Sequence, residues 1–253
     1  MADTAPFLSL TGVTKSYGPV EALKGVDLDV HAGDVLALVG DNGAGKSSLV
    51  KILAGAHPPS GGEIRLKGEP VHFASPGDAL QKGIATIYQD LAVAPRLSIT
   101  ENIFLGSELT RTIPGLPGLH LLDKRRMRRE AGALLTRLSV NVADADTPVE
   151  RLSGGQRQAV ALSRALRWDA RMIIMDEPTA ALGVQETRLV LDLIRRLHAE
   201  GRTVVLISHN MADVCAVATR VAVLKGGRKV IDRGIDGVDA DRLAHMVMTG
   251  REG

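Results

Sequence analysis

The sequence is poor in aromatic residues and contains a single cysteine. Aromatic side chains make up 2% of its 253 residues, as three Phe, two Tyr and one Trp. Proteins that bind single-stranded nucleic acid usually stack the bases on aromatic rings, so this scarcity argues against that class of protein. Cys215 has no second cysteine to pair with, which excludes an internal disulfide and fits a reducing compartment.

The sequence also lacks an excess of charge and any long apolar run. Its 31 Lys and Arg residues nearly balance 29 Asp and Glu residues, so the formal charge is only +2 and we expect no nucleic-acid partner. The basic run Lys124–Arg129, between Asp123 and Glu130, is typical of a solvated helix face. Apolar runs such as Val35–Val39 are far shorter than the roughly 20 residues of a membrane helix, and the N-terminus lacks a signal-peptide pattern. We therefore expect any link to a membrane to come through a partner.

Short apolar runs alternate along the chain with helical patterns, and 45% of the residues are hydrophobic. The predicted strands are Phe7–Val13, Leu23–Val30, Val35–Val39, Glu63–Leu66, Ile84–Ile87, Arg171–Met175 and Thr203–Ile207, followed by a hairpin of Val221–Leu224 and Arg228–Ile231. The predicted helices are Ser47–Ala54, Gln185–Glu200 and Asp241–Met248. This alternation predicts an α/β domain with a parallel sheet. Residues from about 91 to 168, with a Pro/Gly-rich loop at Ile113–Gly118 and Arg-rich helical patterns, are expected to form an inserted helical lobe.

A glycine-rich loop follows the apolar run Val35–Val39. Gly40-Asp-Asn-Gly-Ala-Gly-Lys-Ser47 matches the pattern G-x-x-x-x-G-K-[ST], between a predicted buried strand and an amphipathic helix. In this pattern backbone N–H groups surround phosphates, Lys46 reaches the β- and γ-phosphates, and Ser47 offers its hydroxyl to Mg²⁺. An ordinary glycine-rich turn is the alternative, but the complete pattern favours a nucleotide site. The residues expected to bind the nucleotide here are Gly40, Asp41, Asn42, Gly43, Ala44, Gly45, Lys46, Ser47 and Ser48.

Two adjacent carboxylates end another apolar strand, Met172-Ile-Ile-Met-Asp-Glu177. Ligands of an open parallel sheet bind beyond the carboxyl ends of its strands, which is also where the glycine-rich loop should lie. We expect Asp176 to support Mg²⁺ and Glu177 to accept a proton from the attacking water. A solvated acidic turn before a helix is the alternative.

A third segment, Leu152-Ser-Gly-Gly-Gln156, opens a predicted helix. Ser153 and Gln156 fit a capping box, which would be a purely structural role. The two glycines, Gly154 and Gly155, are not required by that box, and bare N–H groups at a helix start bind anions. The segment is therefore a candidate γ-phosphate contact.

In this order and at these distances, the three segments resemble those of the nucleotide-binding subunit of ABC transporters, from about Leu8 to Ile231. The resemblance implies a P-loop NTPase core with a mostly parallel sheet, an N-terminal antiparallel β subdomain and an inserted helical lobe. It implies one ABC domain over residues 1–253, with a short tail from about residue 232. It also implies an ATPase that uses ATP and Mg²⁺. In a homodimer, Gly40–Ser47 of one subunit would face Leu152–Gln156 of the other across the ATP.

Three further residues receive roles from the resemblance. Tyr17 is similar to the aromatic residue that stacks on adenine, although a strand aromatic packed on the core is an equal alternative. Gln89 resembles the glutamine that contacts Mg²⁺ and the attacking water and links to the membrane subunit, although an ordinary surface glutamine in a loop is the alternative. His209 resembles the histidine that contacts the γ-phosphate and positions the water. Glu177, His209, Gln89 and Lys46 are thus the catalytic candidates, and Ser47, Gln89 and Asp176 are the metal candidates.

One position departs from the family pattern. After Asp176-Glu-Pro-Thr the family usually continues to Ser-Ala-Leu-Asp, whereas this chain has Ala180-Ala-Leu-Gly183. The missing aspartate normally helps to couple the two facing sites. Gly183 therefore puts that coupling in question.

The segment Gln89–Gly106, with Pro178–Gly183 and the tail Met248–Glu252, resembles monosaccharide importers of the ribose and fructose type. This implies an ATPase on the cytoplasmic face of the cell membrane. Permease subunits would dock near Gln89–Phe104, and a periplasmic sugar-binding protein would be an indirect partner.

Import of an amino acid or a lipid is the alternative within the family. An ABC ATPase that acts on nucleic acid or ribosomes is disfavoured because Lys46 and Leu152 are too close in sequence for an inserted coiled coil, and a catalytically dead regulatory subunit is disfavoured because the catalytic candidates are intact.

Overall fold

The computed structural model describes residues 5–113, 116–140 and 144–252, and for Ile113 and residues 116–119 only the backbone is considered. The strands are β1 Leu8–Tyr17, β2 Val20–Val30, β3 Val35–Gly40, β4 Gly61–Leu66, β5 Glu69–Pro70, β6 Ile84–Ile87, β7 Thr110–Ile113, β8 Leu116–Leu122, β9 Met172–Asp176, β10 Thr203–Ile207, β11 Arg220–Lys225 and β12 Arg228–Gly234. The helices are α1 Lys46–Leu53, α2 Pro76–Gln81, α3 Ile99–Phe104, α4 Lys124–Arg137, α5 Gly154–Arg167, α6 Val184–Ala199, α7 Met211–Val217 and α8 Ala240–Thr249. None of the described helices is long and apolar enough to cross a membrane.

The chain divides into two compact units. The first contains the residues up to Gln89, the stretch Ala170–Ala180 and the residues from Ile194 onward. The second contains Asp90–Asp169 and Ala181–Leu193. The second unit therefore includes residues 181–193 in addition to the predicted helical lobe, and the assignment of residues 1–253 to one domain stays a prediction.

A six-stranded sheet, ordered β12-β11-β3-β10-β9-β6, forms the centre of the first unit. All of its pairings are parallel except that of the terminal hairpin, β11 with β12. Every residue of β3 and β10 is buried, as their continuous aliphatic runs predict for strands covered on both faces. The predicted mostly parallel α/β fold is confirmed.

A second sheet, ordered β2-β1-β4-β5, is antiparallel throughout and confirms the N-terminal β subdomain. Its strands alternate between buried and exposed positions, so that one face turns inwards. Leu8 and Val26 from this face share a core with Ile52 of α1 and Ile174 of β9. Register shifts in β1 follow Leu10, and the strand runs on well beyond the predicted end at Val13.

Helices α3, α4 and α5 pack against one another in the second unit and bury Phe104, Met127, Leu135 and Leu162. Between α3 and α4, strands β7 and β8 pair as an antiparallel hairpin. The predicted Pro/Gly-rich loop over residues 113–118 is therefore wrong at Ile113 and residues 116–118, which lie in these strands; residues 114 and 115 lie outside the described residues. Proline and glycine are typical of a loop, but they also occur in the short turn of a hairpin, with strands on both sides.

Candidate functional site

The glycine-rich loop connects β3 to α1, as predicted, and its glycines are required by close packing. Gly40 and Gly45 have φ angles of 152° and 103°, in the region that favours glycine. A Cβ on Gly40 would lie 2.2 Å from the carbonyl oxygen of Leu224, and a Cβ on Gly45 would lie 2.7 Å from that of Ala22. The loop therefore lies tightly against neighbouring strands and cannot accept larger residues at these two positions.

Helix α1 begins at Lys46 directly after this loop. Its N-cap, Gly45, has no side chain, and in the described part of the chain no side chain caps the helix start. The first N–H groups of the helix therefore point out with a positive dipole end, an arrangement that binds phosphate. Ser47 lies in this first turn.

The Lys46 side chain folds back over the loop. Its Nζ donates hydrogen bonds to the carbonyl oxygens of Gly40, at 2.5 Å, and Asp41, at 3.0 Å. Burial lowers the pKa of Lys46, while the charges of Glu177, Asp41 and Asp176 act in the opposite direction. The carbonyl oxygens are uncharged acceptors. An anion bound in the loop would give this half-buried ammonium group a partner of opposite charge.

Asp176 ends β9 and Glu177 follows it, at the carboxyl edge of the six-stranded sheet, where the sequence predicted them. Burial raises the pKa of Asp176, and the charge of Glu177 adds to this effect, whereas Lys46 and Lys51 oppose it. Glu177 itself has φ of 51°, a left-handed conformation that costs an L-residue roughly 1–2 kcal/mol. Its N–H is bonded to the carbonyl oxygen of Ile207, 2.9 Å away, which helps to hold that conformation.

His209 follows β10 and contacts Glu177. The distance from His209 Nδ1 to Glu177 Oε2 is 2.7 Å, and the histidine side chain is 74% exposed whereas that of the glutamate is 18% exposed. The loop after Glu177 is anchored to α7 because Thr179 Oγ1 donates to Asp213 Oδ2 over 2.8 Å. The structure thus brings Lys46, Asp176, Glu177 and His209 to one edge of the first unit.

The oxygen donors at this edge fit Mg²⁺. A hydroxyl at Ser47 and a carboxylate at Asp176 are hard ligands, and Gln89 is an exposed residue two positions after β6. Among the described residues, no group of three or more His, Cys, Asp or Glu side chains is arranged to enclose a metal ion. Proteins usually bind Mg²⁺ through one or two protein oxygens together with substrate phosphates.

Tyr17 ends β1 and is 41% exposed, so the alternative that it packs in the core is wrong. Lys15 Nζ lies 5.2 Å from the centre of the ring, and the His57 ring stands nearly perpendicular to it at a centroid distance of 6.0 Å. The exposed ring is available for stacking.

In the second unit, the segment Leu152–Gln156 begins α5 with a complete capping box. The Ser153 side chain accepts from the Gln156 N–H, and the Gln156 side chain accepts from the Ser153 N–H. A Cβ on Gly154 would lie 2.4 Å from Leu182 Cδ2, and one on Gly155 would lie 3.0 Å from Leu189 Cδ2, both at the ends of flexible side chains. The capping box is therefore present, and phosphate binding by the two glycines stays a prediction.

Glu186 and Asn102 make tertiary contacts that were not predicted from the sequence. The Glu186 carboxylate accepts from the Gly154 N–H at 2.8 Å and from the Gly183 N–H at 3.1 Å. Asn102, 1% exposed, closes the turn before α3: its Nδ2 donates to the carbonyl oxygens of Ala94, Leu97 and Ser98, and its Oδ1 accepts from the Ala94 N–H. The only sign of Asn102 in the sequence was a polar residue close to the apolar residues Ile99 and Ile103. The only sign of Glu186 was an acidic residue three positions after Gly183.

Comparison with known proteins decides the family. The model for the family described as ABC transporter matches residues 23–180. The chain belongs to the ABC transporter family. It is an ATP-binding ABC subunit that hydrolyses ATP in support of transport.

Curated ABC relatives resemble almost the whole chain. A fructose import ATP-binding protein of Rhizobium meliloti is 48% identical over 228 residues, which are 89% of this chain and 87% of the relative. A xylose/arabinose import ATP-binding protein of Sulfolobus acidocaldarius is 45% identical over 95% of this chain and 93% of the relative. A ribose import ATP-binding protein of Escherichia coli O157:H7 is 42% identical over 98% of this chain but only 47% of its own length.

Solved ABC structures share the fold. The ADP conformation of the cassette MJ1267 gives a TM-score of 0.80 at 25% identity, over 98% of this chain and 100% of that one. A dimeric post-hydrolysis state of the cassette MJ0796 bound to ADP and phosphate gives 0.74 at 26% identity, over 91% and 99% of the two chains. The predicted P-loop NTPase core is thus confirmed.

Proposed function

We propose that this ABC ATPase energises the import of a monosaccharide through separate membrane-spanning permease subunits. The observation that carries the proposal is that two relatives, 48% and 45% identical over most of both chains, are named for the import of fructose and of xylose/arabinose. Both names describe small sugars. The same class of substrate is therefore proposed for this chain.

ATP binds, in this proposal, with its phosphates in the loop Gly40–Ser48. Lys46 exchanges the carbonyl oxygens of Gly40 and Asp41 for phosphate oxygens, which gives its half-buried ammonium group acceptors of opposite charge. The open start of α1 supplies backbone N–H donors to the same phosphates. Tyr17, the exposed ring at the end of β1, stacks on adenine.

Hydrolysis is assigned to the carboxyl edge of the six-stranded sheet. Mg²⁺ would be held by Ser47, Asp176 and Gln89, and it would neutralise charge on the phosphates. Glu177 accepts a proton from the attacking water, and its fixed left-handed backbone aims the carboxylate. His209, in contact with Glu177 Oε2, orients the water and contacts the γ-phosphate.

A second copy of the chain completes each site. Ser153, Gly154, Gly155 and Gln156 of one subunit contact the γ-phosphate held by the other, so that two ATP molecules lie in a homodimer interface. The dimeric state of the related cassette MJ0796 supports this proposal. The permease subunits dock near Gln89–Phe104 on the cytoplasmic face of the membrane, and a periplasmic binding protein delivers the sugar to them.

Growth and uptake experiments test the substrate class. A strain in which the gene for this chain is deleted should lose uptake of one monosaccharide, supplied as a radiolabelled sugar. The wild-type chain should restore uptake, whereas the Lys46→Ala variant, produced at an equal level, should not. Unchanged sugar uptake together with lost uptake of an amino acid or a lipid would contradict the proposed substrate.

A further inference from the structure

One carboxylate joins the start of α5 to the turn before α6. Glu186 lies in the first turn of α6, and each of its oxygens accepts a different backbone N–H. Oε1 lies 2.8 Å from the nitrogen of Gly154, and Oε2 lies 3.1 Å from the nitrogen of Gly183. The two segments are far apart in sequence, so this bridge is a tertiary contact within the second unit.

The residues around the bridge are closely packed. A Cβ on Gly154 would meet the Leu182 side chain, and a Cβ on Gly155 would lie 3.3 Å from the backbone oxygen of Glu186. The start of α5 therefore lies directly on the segment Leu182–Leu189. Because the Glu186 carboxylate accepts from the N–H groups of both Gly154 and Gly183, it holds these two backbone segments together.

The bridge includes Gly183, in the turn before α6. Gly183 has no side chain that could bind a neighbouring segment. Its N–H instead reaches the Glu186 carboxylate, which also holds the first glycine of the segment Leu152–Gln156. Glu186, three positions after Gly183, therefore connects the turn before α6 to the start of α5.

We infer that Glu186 is a positioning residue for the ATP-dependent dimer. Its carboxylate sets the Gly154 and Gly183 backbones in the arrangement that meets the partner subunit, and so it controls dimer formation without taking part in ATP binding to the single chain. This inference rests on the proposed cross-subunit site. A preformed arrangement lowers the ordering cost of association, so its loss weakens the dimer.

The ionisation of Glu186 agrees with this geometry. The N–H groups of Gly183 and Gly154, with a further contribution from the Ser153 hydroxyl, lower the pKa of the Glu186 carboxyl. The group therefore stays charged at neutral pH, and hydrogen bonds to a charged acceptor are stronger than those to a neutral one. An amide at this position would keep the shape of the side chain but lose one of its two acceptor oxygens.

The test measures the ATP concentration that gives half-maximal dimerisation. The full chain carrying Glu177→Gln, which should bind ATP without turning it over, is compared with the same chain carrying in addition Glu186→Ala, Glu186→Gln or the control Gln185→Ala. Gln185 is the exposed neighbour of Glu186. Dimerisation is followed by analytical ultracentrifugation, and nucleotide affinity of the single chain is measured with a fluorescent ATP analogue below the dimerisation range.

Glu186→Ala should raise the ATP concentration for half-maximal dimerisation about tenfold, a change of about 1.4 kcal/mol. Glu186→Gln should have an intermediate effect, and Gln185→Ala should have none. Nucleotide affinity of the single chain should stay unchanged in all variants. Equal dimerisation by Glu186→Ala and its parent would overturn the inference.

A loss of single-chain nucleotide affinity in Glu186→Ala would also overturn the inference, because it would show general structural damage. Failure of the parent Glu177→Gln chain itself to dimerise with ATP would instead contradict the proposed cross-subunit function. The two failures are therefore distinguishable.

Discussion

His209 Nδ1 lies 2.7 Å from Glu177 Oε2, and this contact joins the ends of two neighbouring parallel strands. Glu177 is mostly covered and has a left-handed backbone, whereas His209 is largely exposed. The backbone of Glu177 is held by the hydrogen bond from its N–H to Ile207, and its carboxylate is held by the contact with the imidazole of His209. A fixed carboxylate with an exposed histidine beside it suits the activation of a water molecule.

Glu177→Gln should keep ATP binding and abolish most turnover. An amide cannot accept the proton of the attacking water, and general bases typically contribute about 10²–10⁴-fold to a rate. Phosphate release measured under saturating ATP checks the rate. Turnover within threefold of wild type would remove Glu177 from the proposed role, provided that the melting temperature shows the variant to be folded.

His209→Ala should lower kcat with little effect on stability. The side chain is 74% exposed, and surface substitutions usually change the free energy of unfolding by less than about 0.5 kcal/mol. Loss of the 2.7 Å contact frees the Glu177 carboxylate, so we expect kcat to fall by more than tenfold. His245→Ala, at another histidine, is the control. Equal kcat values for the two variants would contradict the prediction.

Ser153→Arg should block dimerisation with ATP because a long cation would occupy the γ-phosphate contact. The substitution also removes the capping hydroxyl, which costs about 1 kcal/mol of stability. Ser153→Asn, which retains a good capping side chain, separates the two effects in sedimentation experiments. An Arg variant that still dimerised with ATP would count against completion of the site by the partner subunit.

Asp176→Asn should stabilise the folded chain at neutral pH. The folded-state pKa of Asp176 is raised above its usual value of 3.8, so folding favours the protonated form. The stabilising contribution of this group is fully present below about pH 3.8 and is lost as pH rises through the folded-state pKa. Removing the charge should therefore raise the melting temperature at pH 7 and give no increase below pH 3.8. A lower melting temperature at pH 7 would contradict this assignment of sign.

The glycine-rich loop and the strand before it were predictable because all the information lies in one short stretch. Val35–Val39 reads as a strand buried on both faces, and the complete pattern at Gly40–Ser47 fixes the turn and the following helix. The parallel arrangement then placed Asp176 and Glu177 at the same edge. These are local patterns joined by one general rule of topology.

The missed features depend on contacts between distant segments. A left-handed backbone conformation is readily predicted from sequence only at a glycine. The sequence therefore contains no sign of this conformation at Glu177. The bridge from Glu186 to Gly154 needs the packing of α5 on the start of α6. Tyr17 was equally consistent with an exposed or a core position until the end of β1 was known.

The four hydrogen bonds of Asn102 have a mechanical consequence. They join the turn at residues 94–98 to α3, while Arg167 of α5 lies over the Phe104 ring, with its Cζ 4.2 Å from the ring centre, and donates to Ser107 Oγ and O. Side-chain contacts therefore connect the turn and α3 to the C-terminal end of α5. The opposite end of the same helix is the one that Ser153 caps, so α5 links these contacts to the start of the segment Leu152–Gln156.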